Sequence, residues 1–249
     1  MKPRHVLSAM TLAAAGVVTP VVGVAPAAHA DTVICDQYGS TTAGKYVVMN
    51  NRWGSSATQC INVTSSGFQI QTQQGSTPTN GAPLSYPAIY LGCHYGNCSP
   101  GTDLPRQLGQ IGSARSAISY NYVNGAAFDA SYDIWMDSTP KTTGVNQTEL
   151  MIWFNHQGGV QPIGSPVGTT NIGGQSWQVW QGNNGQNDVV SYVAPSPLSS
   201  WSFDVKDFVR DVESRGKATE SWYLTSIQAG FEPWNGGAGL AVNSFSADA

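Results

Sequence analysis

ELMIWFN, residues 149–155, sets the reading of the whole chain. Successive side chains of a β-strand point to opposite faces. Leu150, Ile152 and Phe154 therefore share one face, which is wholly apolar and suits a core. Glu149, Met151, Trp153 and Asn155 share the other. An isolated glutamate on a strand is commonly a solvated charge. A glutamate beside a methionine and a tryptophan fits better in a groove lined with aromatic side chains.

Working outward, the same two-residue period recurs at Phe68–Thr72, Ala117–Tyr122, Phe128–Met136, Trp177–Gln181 and Trp222–Phe231. Turn-forming clusters separate the runs: Asn50-Asn51, Asn80-Gly81, Asn124-Gly125, Gly158-Gly159, Gly173-Gly174 and the stretch from Gly182 to Gly185. Short alternating runs between such clusters predict antiparallel sheet. Asn124-Gly125, between two alternating runs, predicts a hairpin. Only Asp204–Arg215 breaks the pattern. It spaces Val205, Phe208, Val209 and Val212 as a helix does, with Gly216 placed to stop it. One helix among about a dozen strands predicts an all-β fold of two packed antiparallel sheets. The chain shows no internal repeat and no Pro/Ser/Thr-rich linker.

The first thirty residues stand apart. Lys2 and Arg4 precede an apolar stretch from Val6 to Val24, and Ala28-His29-Ala30 offers a small-x-small cleavage signal. This predicts an export leader over residues 1–30, and a secreted protein. Pro20, Pro26 and the many Ala and Gly residues argue against a membrane anchor. Residues 31–249 are then expected to form a single domain. The chain's 15 acidic residues outnumber 11 basic ones, two of which lie in the leader. That balance excludes nucleic acid and anionic membrane as partners, since both require a basic face. Only 10% of residues are charged, while 8 Trp and 10 Tyr are present. A neutral, polar, aromatic surface suits an uncharged, hydroxyl-rich ligand.

All four cysteines follow the leader: Cys35, Cys60, Cys93 and Cys98. Four cysteines allow three connectivities. Cys35–Cys60 with Cys93–Cys98 is favoured, the second pair closing a local, glycine-containing loop. Each bridge contributes about 2–4 kcal/mol. A zinc site using His94 is disfavoured, because the spacing matches no usual zinc motif. A Ser-His-Asp hydrolase is disfavoured too. Only His94 and His156 follow the leader, the first in the cysteine loop and the second assigned to a turn. No Gly-x-Ser-x-Gly elbow is present.

Parity places three further carboxylates. In residues 127–136, Asp129, Ser131, Asp133 and Trp135 face one way, and Phe128, Ala130, Tyr132, Ile134 and Met136 the other. In the run from Trp222, Leu224, Ser226, Gln228, Gly230 and Glu232 oppose Tyr223, Ile227 and Phe231. Pro233 then places Glu232 at a strand end. Two carboxyls across a groove are what glycoside hydrolysis needs. One protonates the leaving oxygen; the other attacks the anomeric carbon or activates water. Roughly 5–5.5 Å between them gives retention and roughly 6.5–9.5 Å inversion. Asp133 supplies a third carboxyl able to tune the nucleophile.

Four segments carry a resemblance. ELMIWF (149–154), GFEPW (230–234), NNRWG (50–54) and PIG (162–164) followed by GGQSW (173–177) resemble, in order, segments of the glycoside hydrolase family 12 endoglucanases, the secreted actinomycete members above all. The resemblance covers nearly all of residues 31–249. It implies a β-jelly roll whose concave sheet forms an open cleft. It implies cleavage of internal β-1,4-glucosidic bonds by a retaining double displacement, with no metal or organic cofactor. Glu149 resembles the nucleophile, Glu232 the acid/base and Asp133 the aspartate that bonds the nucleophile. Trp53 resembles a sugar-stacking residue with Asn51 beside it, and Met151, Trp153 and Trp135 fall on the cleft floor. The partner implied is a β-glucan, and an open-cleft enzyme of this kind is expected to be a monomer. A retaining xylanase or xyloglucanase on the same fold, or a non-catalytic carbohydrate-binding module, are the alternatives. Pro233 after the acid/base is a position at which family members differ.

Overall fold

The computed structural model describes Met1 and residues 31–249. The expected leader, residues 1–30, lies, Met1 apart, outside the described residues. In chain order the strands are β1 (Thr32–Ile34), β2 (Ser40–Ala43), β3 (Tyr46–Met49), β4 (Gln59–Val63), β5 (Phe68–Gln73) and β6 (Ala88–His94). There follow β7 (Asn97–Cys98), β8 (Arg106–Gln107), β9 (Arg115–Asn121), β10 (Ala127–Asp137), β11 (Thr148–Gln157) and β12 (Ser165–Ile172). The last are β13 (Gln175–Asn183), β14 (Asp188–Val193), β15 (Ser200–Asp204), helix α1 (Val205–Ser214), β16 (Tyr223–Asn235) and β17 (Ala241–Ala247).

These strands form two sheets. The smaller runs β1-β4-β5-β17-β9-β15. The larger runs β12-β13-β14-β11-β10-β16-β6-β3-β2, with β7 added to β6 and β8 to β16. Their inner faces meet in one core. Ile61, Ile70, Ile118 and Phe245 come from the small sheet, and Ile134, Ile152, Phe154 and Phe231 from the large one. Aromatic rings knit the layers, with Tyr120 edge-on to Phe231 at 5.2 Å. The parity read from residues 149–154 holds: Leu150, Ile152 and Phe154 enter this core, while Met151 and Trp153 belong to a separate cluster on the opposite face. Helix α1 forms where its periodicity predicts. The Asp204 side chain caps it by accepting from Lys206 N at 2.9 Å. Gly216, at φ 72°, ends it. Both disulfides have the expected pairing, Cys35–Cys60 and Cys93–Cys98.

Five local expectations are corrected. Asn124-Gly125 makes no hairpin: β9 pairs with β15 and β17, whereas β10 pairs with β11 and β16. The turn reverses the chain, but it carries it from one sheet to the other, and Tyr122 stacks on Phe128 across the gap. The larger sheet is not wholly antiparallel either. β11 runs parallel to β14, because the β12–β13 hairpin folds outside β14 and brings the chain back in the starting direction. β14 reads Val-Val-Ser-Tyr-Val with little alternation, as suits a strand covered on both faces.

Strand β16 does not end at Glu232 but continues to Asn235. Pro233, which has no N–H to give, sits opposite Phe128 where the register slips between Ala127 and Phe128. A second slip, between Trp135 and Met136, turns Leu224 into the core, while Ser226, Gln228 and Glu232 stay on the other face. A third slip, on β11, sets Asn155 opposite the core residue Ala130 and takes it off the face it would share with Trp153.

Candidate active site

The concave face of the larger sheet bounds an open cleft of about 1370 Å³. All eight residues expected at the site line it: Asn51, Trp53, Asp133, Trp135, Glu149, Met151, Trp153 and Glu232. Three adjacent strands supply the carboxyls. β11 presents Glu149, β10 presents Asp133 and β16 presents Glu232.

Two motif glycines have a steric reason. A Cβ on Gly230 would stand 2.1 Å from the carbonyl oxygen of Pro87, so only glycine lets β16 lie this close to the chain entering β6. A Cβ on Gly54 would meet Pro83 O at 2.1 Å. That close approach, with Gly54 N–H donating to Leu84 O at 3.0 Å, seats the loop after β3 on the cleft rim. Trp53 on this loop is 45% exposed, so a ligand can reach its ring.

The acids are unequal. Glu149, only 9% exposed, accepts from Asn187 Nδ2 at 3.2 Å. Burial pushes its carboxyl up to about 7, and the Asn187 amide, which favours the anion, pulls the other way. Glu232 is driven well above the usual carboxylate range by burial first, then by the charge and hydrogen bond of Asp129, then by Glu149. Asp133 is likewise raised, by burial and by the charges of Glu149 and Glu232. The hydroxyls of Ser131, at 3.1 Å, and Tyr86 oppose that rise.

Asp129, on the same face as Asp133 by parity, was given no role in the sequence reading. It is fully buried and pairs across the strands with Glu232. Its oxygens make no well-formed hydrogen bond to a protein donor, the Ser131 hydroxyl lying 3.1 Å from Asp133; Ser131 and the Glu232 N–H only partly offset the effect of its burial. Its partner is the Glu232 carboxyl. Two carboxyls bond each other only while one holds a proton. Glu149 has a side-chain amide, that of Asn187, to favour its anion. Asn187 thus favours the ionised form of Glu149, and Asp129 the protonated form of Glu232. An anionic carboxylate and a carboxylic acid on separate strands of one cleft can perform nucleophilic attack with acid catalysis.

Other cleft residues were also missed. Asn187 lies in an Asn- and Gly-rich turn that reads only as a loop. There the Asn184 side chain accepts from Gln186 N and Asn187 N, both at 3.0 Å, and so fixes the segment that reaches Glu149. His94 is not set apart in its cysteine loop but lines the cleft, with Nδ1 3.3 Å from Gln228 Nε2. Burial lowers it to about 4, so it is neutral near pH 7. His156 lies exposed in β11 rather than in a turn, and does not line the cleft. Trp153 Nε1 and Gln228 Oε1 line the cleft as well, buried and without protein partners.

Residues 44–249 match the profile of glycosyl hydrolase family 12. The chain is 59% identical over 147 residues to a probable cellulase, Cel12b, of Mycobacterium tuberculosis, covering 59% of this chain and 97% of that one. It is 32% identical over 221 residues to a probable xyloglucan-specific endo-β-1,4-glucanase A of Aspergillus terreus, covering 85% of each. Among solved structures, the native endo-1,4-β-glucanase CelB2, a cellulase, superposes with a TM-score of 0.86 at 63% identity, over 87% of this chain and 98% of that one.

Proposed function

The chain belongs to glycosyl hydrolase family 12, and on that premise we propose that this endo-β-1,4-glucanase acts by a retaining double displacement with Glu149 as nucleophile and Glu232 as acid/base. The observation that carries the assignment is the unequal partnering of the two carboxyls, an amide on Glu149 and a carboxyl on Glu232.

A glucan chain lies along the cleft, one sugar face against Trp53. Glu232 gives its proton to the glycosidic oxygen as Glu149 attacks the anomeric carbon. The C–O bond breaks, and the departing chain leaves with a new hydroxyl. The retained sugar is then an ester of Glu149. Glu232, now ionised, takes a proton from an entering water. The water oxygen bonds the anomeric carbon and releases Glu149 as carboxylate. Asp133 holds the nucleophile's electrostatic setting. Asn51, Trp135, Met151 and Trp153 shape the floor.

Glu149→Gln and Glu232→Gln test the roles. Each is expected to lower hydrolysis of carboxymethylcellulose at least a thousandfold with the fold intact. Near-native activity in either variant refutes its assignment. Azide added to Glu149→Gly should yield a glycosyl azide of inverted configuration, and a product of retained configuration would count against Glu149.

The leader-like residues 1–30 and the two disulfides support an enzyme that works outside the cell. No described helix is long and apolar enough to cross a membrane. We take residues 31–249 as one catalytic domain acting as a monomer on β-glucan. The fungal relatives named for xyloglucan keep that polymer in view as a second substrate. Parallel assays on xyloglucan, mixed-linkage glucan and carboxymethylcellulose decide between them.

A further inference from the structure

Among the described residues, two that are not glycine hold a positive φ: Asn51 at 37° and Tyr95 at 46°. Both line the cleft. Asparagine enters the left-handed region readily and an aromatic residue rarely; here the two-residue turn Tyr95-Gly96 between β6 and β7, with φ positive at both positions, requires that backbone. Tyr95 is also 62% exposed.

The hairpin that carries Tyr95 is fixed on every side. The Cys93–Cys98 bridge closes it. Gly96 N–H donates to Thr142 O at 2.8 Å, on the segment after β10. Asn97 Nδ2 donates to Ser40 Oγ at 3.1 Å on β2, and Tyr90 OH to Asn97 O at 3.0 Å. The His94 ring braces Tyr95 nearly at right angles, 4.8 Å between centroids. An exposed aromatic ring is thus held rigidly on the rim. It lies beyond β6, on the far side of β16 from the nucleophile's strand.

A neutral ring fixed in this way offers a flat apolar face to the C–H surface of a pyranose, with no ordering cost at the moment of binding. We propose that Tyr95 is a sugar-stacking platform adding a distal subsite for a β-linked glucan chain at the β6 end of the cleft. The inference rests on the glucanase reading above.

The test compares wild type, Tyr95→Asn and Tyr95→Phe by kcat/KM on cellohexaose and on an aryl β-cellobioside too short to span the cleft. Asparagine tolerates the left-handed backbone, so the hairpin is expected to survive that change. The hexasaccharide-to-cellobioside ratio should fall about tenfold in Tyr95→Asn and stay near wild type in Tyr95→Phe. An unchanged ratio in Tyr95→Asn overturns the proposal. So does an equal loss in Tyr95→Phe, which would mean a hydroxyl contact rather than stacking. So does a Tyr95→Asn protein that melts well below wild type while keeping its ratio. A wild-type enzyme that cleaves neither substrate fails at the earlier step, the glucanase reading itself.

Discussion

At the scale of single residues, the two glutamates differ less in position than in company. Asn187 favours the anion of Glu149; Asp129 favours the protonated form of Glu232. Asn187→Ala removes the amide that favours ionisation. The acidic limb of the kcat/KM profile should then move up by about one pH unit. Asp129→Asn removes a negative neighbour from Glu232, which should then lose its proton more easily. The basic limb should move down, and a limb that stays in place would separate Asp129 from the acid/base. Glu149, Asp133 and Glu232 were legible in the sequence, because strand parity needs only a count of two. Asp129 lay on the right face by the same count, but parity does not say which residue stands across from it. That pairing with Glu232 comes from register between strands about a hundred residues apart. Asn187 was illegible for another reason, since the side-chain bonds of Asn184 that aim it belong to the folded turn.

At the scale of elements, parity held along each strand until a bulge interrupted it. Leu224 changes face because one residue is inserted opposite Trp135 and Met136, and no composition signal marks the place. The Asn124-Gly125 turn shows a similar limit. Local chemistry bends the chain, while hydrophobic burial decides which sheet each arm joins. Helix α1 was legible, since its stripe and stop are local; its Asp204 cap came from the structure. Its cap gives a plain prediction: Asp204→Ala should cost about 1 kcal/mol, read as a lower thermal midpoint with unchanged kcat. Gly230→Ala should cost more, about 1–3 kcal/mol from overpacking, because the new methyl would meet Pro87 O. Activity should fall with it, since β16 also carries Glu232.

At the scale of the whole molecule, folding buries Asp129, Asp133 and Glu149 and half-buries Glu232 on one concave sheet, and stability should record it. Glu149 titrates at about 7 when folded and near 4.5 when unfolded. Between those values the folded state holds a proton that the unfolded state has released. Stability from this group is therefore full below about pH 4.5 and declines as pH rises toward 7. His94 acts oppositely. It stays neutral when folded down to about pH 4, whereas the unfolded chain takes up its proton near 6.5. Its contribution is full above pH 6.5 and is lost as pH falls toward 4. Melting curves across pH 4–8 should show the wild type losing stability relative to Glu149→Gln as pH rises. A constant difference would mean that Glu149 is not titrating in this window. The sandwich that holds these groups was legible as a class, because alternation and turns recur along the chain. Its sheet order and the parallel β11–β14 pair were not, because both depend on which distant strands meet.

The central claim is that Glu149 forms the covalent bond to sugar, and trapping that bond tests it most directly. A 2-deoxy-2-fluoro-β-cellobioside with a reactive leaving group slows the second step, so the intermediate should accumulate. Peptide mass mapping should then find one fluoroglycosyl adduct, on the peptide containing Glu149. An adduct on Glu232 or Asp133, or inverted products with no adduct at all, would contradict the account.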